Sequence, residues 1–345
     1  MFHLFYPLVR RVLFQLDAET AHHVTLRLLS LATSARLMGA PNPPKVASVK
    51  LMGLEFPNPV GLAAGLDKGA ECVNGFGAMG FGFVEVGTLT PRPQSGNPLP
   101  RLFRLPEYEA IINRMGFNNP GLEEALSHLA HRRYTGILGV NVGKNAITPN
   151  ERALDDYLIG YRLAAPVADY VAVNLSSPNT KGLRDLQAEE NCRSLLVPLL
   201  EEREKMLQQT GKRTPLTVKI APDLEDEHVA SLGRLFLELG VDAVIATNTT
   251  ISRTAVASHP LANETGGLSG TPVKARSTEV IRVLHEVTAG KLPIIGVGGI
   301  LSAADAREKF LAGASLIQIY TGLIYKGPGL VKEILADLRK RNGKS

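Results

Sequence analysis

Short apolar runs recur along the chain, and helical patterns separate most of them. The runs lie at 59–65, 81–88, 136–143, 170–176, 216–221, 243–249, 293–299 and 315–321. Each run is continuous rather than alternating, which is typical of parallel strands buried on both faces. Helical signals lie between them, such as the glycine that ends "EHVASLGRLFLELG" and the serine that opens "SAADAREKFLAGA". Eight strands alternating with helices predict a (β/α)8 TIM barrel of the α/β class.

A doubly wound open sheet is the main alternative fold. The count of eight strands, and the lack of a G-x-G-x-x-G motif after the first strand, favour the barrel. Two connections, 89–122 and 250–270, are too long to be simple helices. Loops of this length in a compact domain are usually functional or disordered. Both follow carboxyl-terminal strand ends, which form the catalytic face of a barrel.

The first forty residues follow a different pattern. Apolar residues recur at helical spacing over 5–16, and again over 21–31 after Asp17, a candidate N-cap. We therefore predict a pair of amphipathic helices in residues 1–40 and a barrel domain over residues 41–345, joined by the proline-rich "GAPNPPKV". From this pattern alone, the helices could cap the barrel or contact lipid or an apolar ligand. The first apolar run is too short for a membrane span, and the basic pair that follows it disfavours a signal peptide.

Composition narrows the function classes. The chain has 345 residues, 44% of them hydrophobic, and a formal net charge of +5. Its basic residues are spread along the sequence, so nucleic-acid binding is not predicted. A mildly basic surface suits anionic substrates or an anionic membrane face. Cys72 and Cys192 lie far apart, which predicts inert thiols in a reducing compartment and no disulfide framework.

Polar residues follow the carboxyl-terminal end of nearly every predicted strand. In chain order they are Lys68, Thr88, Asn141, Asn174, Ser176, Ser177, Lys219, Thr247, Asn248 and Thr249. A barrel places polar groups at this rim only if a polar ligand binds there. The set has no cluster of histidines, cysteines or carboxylates, which argues against a metal site and against paired-carboxylate chemistry.

Glycines point to a phosphate on that ligand. "GVGG" ends strand seven and "YTG" ends strand eight, where backbone N–H groups commonly bind phosphate in this fold. Amides can recognise the donors and acceptors of a heterocycle, and an ammonium can stabilise a reduced flavin. Flavin mononucleotide (FMN) fits these requirements.

Long motifs resemble the quinone-dependent (class 2) dihydroorotate dehydrogenases across essentially the whole chain. They are "AAGLDK", "GTLTPRPQSGNPLPRLFRL", "INRMGFNN", "NLSSPNTKGLR", "VKIAPD", "IATNTT", "GGLSG", "PIIGVGGI" and "QIYTGLIYKGP". The resemblance implies an FMN-containing barrel that oxidises (S)-dihydroorotate to orotate in de novo pyrimidine (UMP) biosynthesis, with a quinone as electron acceptor. It also implies peripheral association with the cytoplasmic side of the bacterial inner membrane.

The resemblance also assigns residues. One FMN per chain is expected at Ala64, Gly65, Leu66, Asp67, Lys68, Thr88, Asn141, Asn174, Lys219, Thr247, Gly270, Gly299, Tyr320 and Thr321. The substrate is expected at Lys68, Asn113, Arg114, Met115, Gly116, Phe117, Asn174, Asn179, Asn248 and Thr249. The catalytic base is expected at Ser177, where class 1 relatives have cysteine. Residues 1–40 are expected to lie on the membrane and form an apolar quinone tunnel that includes Arg104 and Tyr320, with Arg10 and Arg11 exposed to anionic headgroups.

This assignment implies a mechanism. Ser177 takes the proton from C5 of dihydroorotate while FMN accepts the hydride from C6, and the serine must pass its own proton onward, through water. The loop at 176–188 is expected to close over the substrate, and Lys219 to stabilise the reduced ring.

Several alternatives remain open at the level of sequence. Asn174 could only satisfy strand-end amides, Ser177 could cap a turn, and Lys68 could pair with Asp67. We assign no chemistry to His22 and His23. Two other functions are a class 1-type FMN barrel with a soluble acceptor, and a non-catalytic membrane-surface module; Ser177 and the helical extension argue against the first, and the intact polar set against the second.

Overall fold

Residues 2–342 are described by a computed structural model of the protein, with side chains described for residues 5–341. Its centre is a closed barrel of eight parallel strands. These strands are β3 (Val60–Leu62), β4 (Phe83–Leu89), β7 (Ile137–Val142), β8 (Tyr170–Asn174), β9 (Leu216–Ile220), β10 (Ala243–Ala246), β12 (Ile294–Val297) and β13 (Leu316–Ile319). They follow one another around the barrel in chain order. All eight coincide with the predicted apolar runs, so the barrel prediction is confirmed.

Helices cover the outside of the barrel. They are α3 (Val73–Ala78), α4 (Leu122–His128), α5 (Ala153–Ala164), α6 (Glu189–Thr210), α7 (Asp226–Leu239), α8 (Lys274–Val287), α9 (Ala303–Leu311), α10 (Thr321–Lys326) and α11 (Gly329–Asn342). The predicted caps are present. Ser302 Oγ accepts a hydrogen bond from the Asp305 amide at the start of α9, and Gly240 ends α7 in a left-handed conformation.

The two long connections form one structure over the mouth of the barrel. The first contains β5 (Leu102–Leu105) and β6 (Ala110–Asn113), and the second contains β11 (Gly267–Gly270). The three pair antiparallel in the order β11-β6-β5. Segments more than 150 residues apart in sequence therefore build a common wall beside the carboxyl-terminal strand ends.

The barrel interior is filled by large side chains that lie over glycines of neighbouring strands. A Cβ added at Gly61 would lie 2.3 Å from the Phe83 ring, and one added at Gly139 would lie 2.2 Å from the Tyr170 ring. A hairpin of β1 (Val49–Leu51) and β2 (Leu54–Phe56) packs against these rings. The amino-terminal end of the barrel is therefore closed, which leaves the opposite end for a ligand.

Two helices precede the hairpin, as predicted: α1 (Phe2–Leu13) and α2 (Ala18–Ser34). Asp17 caps α2, since its Oδ1 accepts hydrogen bonds from the amides of Glu19 and Thr20 at 3.0 and 2.9 Å. An ion pair between Glu19 and Arg101 joins α2 to the barrel. Over residues 2–342, no helix combines the length and apolarity that a membrane crossing requires.

Candidate active site

A cavity opens at the carboxyl-terminal ends of the barrel strands, and most of the predicted site residues line it. They are Ala64, Gly65, Lys68, Thr88, Asn113, Met115, Gly116, Phe117, Asn174, Ser177, Asn179, Lys219, Thr247, Asn248, Thr249, Gly270, Gly299, Tyr320 and Thr321. The cavity is bounded by the rim of the barrel and by the three-stranded sheet. Strand-end position alone identified residues such as Thr88, Asn174 and Lys219. The family resemblance was needed for the others, which are Asn113, Met115, Gly116, Phe117, Asn179 and Gly270.

Four predicted residues do not line this cavity. Leu66 lines an apolar cavity on the other side of Tyr320, and Arg114 lies in a surface groove, ion-paired with Glu264. Asn141 lies beneath the cavity and donates a hydrogen bond to Glu85. Asp67 accepts hydrogen bonds from the amides of Glu71 and Cys72. Their predicted ligand contacts remain predictions.

Other lining residues were missed at the level of sequence. They are Ala63, Ser269, Val273, Val297, Ile300, Gln318 and Ile319, whereas Gly298 and Gly322 belong to the "GVGG" and "YTG" motifs already noted. Most are small or apolar and resemble ordinary core residues. Gln318 had a usable signal, because it is a polar residue inside the apolar run "LIQI", as Lys219 is inside "LTVKI".

A chain of hydrogen bonds links the amides of the rim. Thr88 donates to Asn141 Oδ1 at 2.6 Å, and Asn174 Nδ2 donates to Thr88 Oγ1 at 2.9 Å. Asn248 Nδ2 donates to Ser176 Oγ at 3.0 Å. These bonds hold the amides in fixed rotamers. The Asn174 side chain therefore satisfies hydrogen-bonding groups at the strand ends and also forms part of the cavity wall.

Lys219 is buried at 5% exposure with its side chain in the cavity wall. Among the described residues, none forms a hydrogen bond or an ion pair with its ammonium. Burial lowers the pKa of Lys219, and the negative charge of Glu85 opposes that shift. An unpaired buried cation is costly, so this group is suited to an anionic or electron-rich ligand.

Lys68 does not pair with Asp67, the alternative left open above. Its Nζ donates to Asn118 Oδ1 at 2.6 Å and contacts Met115 Sδ at 2.8 Å. Burial lowers the pKa of Lys68 to about 7, and the charge of Arg101 adds to this effect. The ammonium is thus held among residues of the first long connection, at the edge of the cavity.

Ser177 lies in the loop that follows β8 and is 5% exposed. Its Oγ accepts a hydrogen bond from the Asn179 amide at 3.2 Å, so it does cap a turn and also lines the cavity. Asn179 Nδ2 in turn donates to the Asn113 carbonyl at 2.9 Å. The Ser177 hydroxyl proton remains free to donate, and among the described lining residues there is no histidine that could serve as its base.

Arg184 holds this loop in place through hydrogen bonds of its guanidinium. Its guanidinium donates to the carbonyls of Ser176 and Thr249 at 3.1 and 2.9 Å, and to Asp223 at 2.7 Å. The loop after β8 is thereby tied to the loops after β9 and β10. Ser177 and Asn179 of this loop line the cavity, and the expected closure of residues 176–188 over a substrate remains a prediction.

Glycines form a cup at the ends of β12 and β13. A Cβ at Gly322 would lie 2.0 Å from the Ile300 carbonyl, and one at Gly299 would lie 2.3 Å from Lys274 Cβ. Gly299 also has φ of +69°, a left-handed conformation that favours glycine. Such a close-approach backbone suits a phosphate group.

The residues present fit FMN. The glycine cup suits the phosphate, and the amides with Lys219 suit the ring. The Oε1 atom of Gln318 is buried in the cavity wall and has no hydrogen-bond partner within the described part of the chain. A ligand with a donor group would satisfy this atom. The described residues form no cluster of three or more histidine, cysteine, aspartate or glutamate side chains that could hold a metal ion.

A second cavity of about 150 Å³ lies between the amino-terminal helices and the barrel. Apolar side chains of α1, α2 and α3 line it, together with His22, Arg104 and Tyr320. Burial lowers the pKa of His22 to about 3 and raises that of Tyr320 to about 12, so both are neutral. Tyr320 lines both cavities and therefore lies between them.

Arg104 and the basic pair of α1 differ in their surroundings. Arg104 donates to the carbonyls of Leu13 and Leu16, and its guanidinium lies 4.6 Å from the Phe14 ring. Arg10 is half-buried, because its Nη1 donates to the Tyr325 carbonyl at 2.6 Å. The expectation that Arg10 is exposed is wrong; Arg11 is exposed.

Three comparisons with known proteins, by family profile, by sequence and by structure, all match one family. The profile of a family described as dihydroorotate dehydrogenase matches residues 46–341. A Chromobacterium violaceum protein named dihydroorotate dehydrogenase (quinone) is 57% identical over 331 residues, 96% of each chain. A Paraburkholderia phymatum protein of the same name is 55% identical over 342 residues, 99% of each chain. A crystal structure described as DHODH from Eimeria tenella in complex with ferulenol superposes with a TM-score of 0.87 at 42% identity, covering 96% of this chain and 95% of that one.

Proposed function

The chain belongs to the dihydroorotate dehydrogenase family, and we propose that it oxidises dihydroorotate to orotate in pyrimidine biosynthesis with a quinone as electron acceptor. Relatives that cover nearly the whole chain have quinone in their names. This favours a quinone over the soluble acceptor of a class 1-type enzyme, and an enzyme over a non-catalytic module. The observation that carries the proposal is the convergence of Ser177, Lys219 and the rim amides on one cavity.

FMN is the flavin that this cavity would hold. When bound, it supplies the acceptor for a hydride and passes the electrons to the quinone. Gly299 and Gly322 would hold the phosphate, and Lys219 and Gln318 would hold the ring. The positive charge of Lys219 would stabilise negative charge on a ring bound there.

Ser177 would hold the proton that leaves C5 of the substrate. The hydroxyl is oriented by the Asn179 amide, which leaves its other lone pair available. Serine is a weak base, so its own proton must pass to water as the substrate proton arrives. Lys68, Asn113 and Asn179 would position the pyrimidine, because a misplaced substrate loses much of the rate.

The Ser177→Ala variant tests this role. It should bind FMN as the wild type does, because the hydroxyl makes one turn contact only. Its flavin should be bleached by dihydroorotate at least about a hundredfold more slowly in anaerobic stopped-flow measurements, the usual scale for loss of a general base. Bleaching at the wild-type rate would exclude Ser177 as the base.

We also propose that α1 and α2 associate with a membrane and that the cavity beneath them receives the quinone. Apolar side chains on these helices are exposed, including Leu8, Val12, Leu28 and Leu31. The cavity beneath is lined mainly by apolar groups and ends at Tyr320, beside the flavin site. The proposed location is peripheral, on the cytoplasmic side of the cell inner membrane, and the exposed apolar side chains support the membrane association.

Vesicle flotation tests the membrane proposal. Val12→Asp, at a residue 68% exposed on α1, should reduce co-flotation with vesicles that contain anionic lipid. Leu311→Asp is the matched control, since Leu311 is 79% exposed on α9, and it should float as the wild type does. Equal behaviour of the two variants would count against the helical pair as the membrane surface.

A further inference from the structure

A carboxylate lies in the barrel interior directly beneath the candidate flavin site. Glu85, on β4, is fully buried. It accepts hydrogen bonds from Asn141 Nδ2 and the Tyr170 hydroxyl at 2.8 Å, and from Gln318 Nε2 at 2.7 Å. Within residues 5–341, no basic side chain forms an ion pair with it. A buried charge without a direct partner is expensive, and a glutamine of the same size would avoid that cost.

A carboxylate at this position fixes the orientation of the neighbouring amides, which an amide side chain would not do. Ionised, it accepts hydrogen bonds only. Asn141 must therefore turn its NH2 group toward Glu85, which turns its Oδ1 toward Thr88. Thr88 donates to that oxygen and receives the Asn174 NH2 group. Asn174 Oδ1 then faces Ser176 and Asn248, whose polar hydrogens it accepts.

A second branch starts from the other carboxylate oxygen. Gln318 donates its NH2 group to Glu85 Oε2, so its Oε1 is turned away from the carboxylate. That Oε1 is the buried atom without a hydrogen-bond partner among the described residues, and Gln318 lines the cavity. The orientation imposed by Glu85 therefore offers the ligand an acceptor at this point rather than a donor.

The same carboxylate acts on Lys219 through its charge. The Lys219 ammonium is buried and has no direct partner in the described structure. The negative charge of Glu85 raises the pKa of Lys219 and so opposes the effect of burial. Glu85 thus favours the cationic form of Lys219, which lines the cavity.

We propose that Glu85 is a positioning residue for the flavin, which fixes the donor and acceptor orientation of the amides around the cavity and supplies the countercharge of Lys219. This inference rests on the proposed function. It assigns a role to a residue that does not itself line the cavity and that acts through Asn141, Gln318 and Lys219.

Two substitutions at Glu85 separate this role from simple packing. Glu85→Gln keeps the size of the side chain but introduces a donor and removes the charge. Glu85→Asp is shorter but remains an anion that only accepts. If Glu85 serves packing alone, glutamine is the better replacement. If it sets the orientation of the amides and supplies the countercharge of Lys219, aspartate is the better replacement.

The assay is the dissociation constant of FMN, measured by fluorescence on apoprotein whose folding is checked by thermal unfolding. We expect Glu85→Gln to weaken FMN binding about tenfold to a hundredfold, as for loss of hydrogen bonds to a charged group. Glu85→Asp should lie closer to the wild type. Tyr170→Phe is the control, because it removes one donor to Glu85 and leaves the orientation of the amides intact; its effect should be smaller than that of Glu85→Gln.

Wild-type affinity in Glu85→Gln, or tighter binding in that variant than in Glu85→Asp, would overturn the proposal. If neither variant yields folded apoprotein, Gln318→Leu takes its place, since it removes the oriented acceptor and keeps the carboxylate. About tenfold weaker FMN binding is expected there, and unchanged affinity would overturn the proposal. Failure of the proposed function would differ, because it would already be visible as a wild-type protein that binds no flavin.

Discussion

The Glu19–Arg101 ion pair is the contact whose removal best tests the role of the amino-terminal helices. Arg101 Nε donates to both Glu19 oxygens at 3.1 and 3.0 Å, and Nη2 donates to Oε1 at 2.7 Å. The two side chains are 9% and 11% exposed. The pair lies between α2 and the residue that precedes β5, so it links the helical pair to the wall of the flavin cavity.

Glu19→Gln removes the negative charge and leaves the guanidinium buried without a counter-ion. Breaking one side of a buried, hydrogen-bonded pair costs about 3–5 kcal/mol. Because about 1.4 kcal/mol is a factor of ten, the equilibrium for docking of α2 should shift by roughly a hundredfold to several thousandfold. Contacts of α1 such as Tyr6 to the Ile324 carbonyl would remain, so we expect the helices to loosen and the barrel to stay folded.

The assay is a comparison of two half-reactions by stopped-flow spectroscopy. Bleaching of the flavin by saturating dihydroorotate should stay within about twofold of the wild type, since the barrel cavity is intact. Reoxidation by a low concentration of quinone should slow at least about tenfold, because the apolar cavity is lined by the displaced helix. Proteolysis in the linker at 39–46 should become faster.

Glu238→Gln is the matched control, because its ion pair with Arg193 is solvent-exposed; both half-reactions should be unchanged. Equal loss of both half-reactions in Glu19→Gln, or quinone reoxidation at the wild-type rate, would exclude this role for the amino-terminal helices. The pKa of Glu19 gives a second check. Burial raises it, but the Arg101 hydrogen bonds and charge outweigh burial and lower it below 4.5. The ion pair therefore stabilises the docking of α2 fully above the usual pKa of glutamate. This stabilisation is lost as the pH falls through the lowered pKa of Glu19.

Two further predictions concern the cavity itself. Burial lowers the pKa of Lys68 to about 7, so the group is cationic below that pH and neutral above it. The dissociation constant of the anionic dihydroorotate, measured by flavin titration, should therefore rise between about pH 6 and about pH 8. The Lys68→Met variant should bind dihydroorotate weakly, with a dissociation constant that does not change with pH. The wild-type pH dependence in this variant would exclude Lys68 as the titrating group. Gly299→Ala should release FMN on dialysis, because its Cβ would lie 2.3 Å from Lys274 Cβ. Gly211→Ala is the control, since Gly211 has a similar positive φ and open space around it; this variant should lose about 1–2 kcal/mol of stability and retain FMN. Retention of FMN by both variants would contradict a phosphate site at these glycines.

The barrel and the position of its site could be predicted from sequence because both depend on local signals. Continuous apolar runs identify parallel strands, and the carboxyl-terminal ends of parallel strands meet at one rim. Thr88, Asn174 and Lys219 could therefore be brought together without coordinates. The two long connections could be recognised as candidate functional segments by their length and by their position after carboxyl-terminal strand ends. Their pairing into one sheet could not, since antiparallel partners more than 150 residues apart leave no local pattern.

Contacts between side chains were harder to predict. Lys68 follows Asp67 in sequence, but adjacent residues need not face each other, and the structure pairs Lys68 with Asn118 and Asp67 with amides of the following turn. Arg10 resembled a surface residue because the carbonyl that it binds lies more than 300 residues away. Glu85 had the same usable signal as Gln318, a polar residue inside an apolar run, but its partners were not predictable, because the layer in which a side chain lies depends on register around all eight strands.

The most direct test of the proposed function is an anaerobic titration of the purified wild-type protein, followed by its absorption spectrum. We expect a yellow protein that releases FMN on denaturation, with one flavin per chain. Dihydroorotate should bleach the flavin with formation of orotate, and a quinone added afterwards should restore the oxidised spectrum. A colourless protein that binds no added FMN, or a bound flavin whose spectrum dihydroorotate leaves unchanged, would exclude the proposed function.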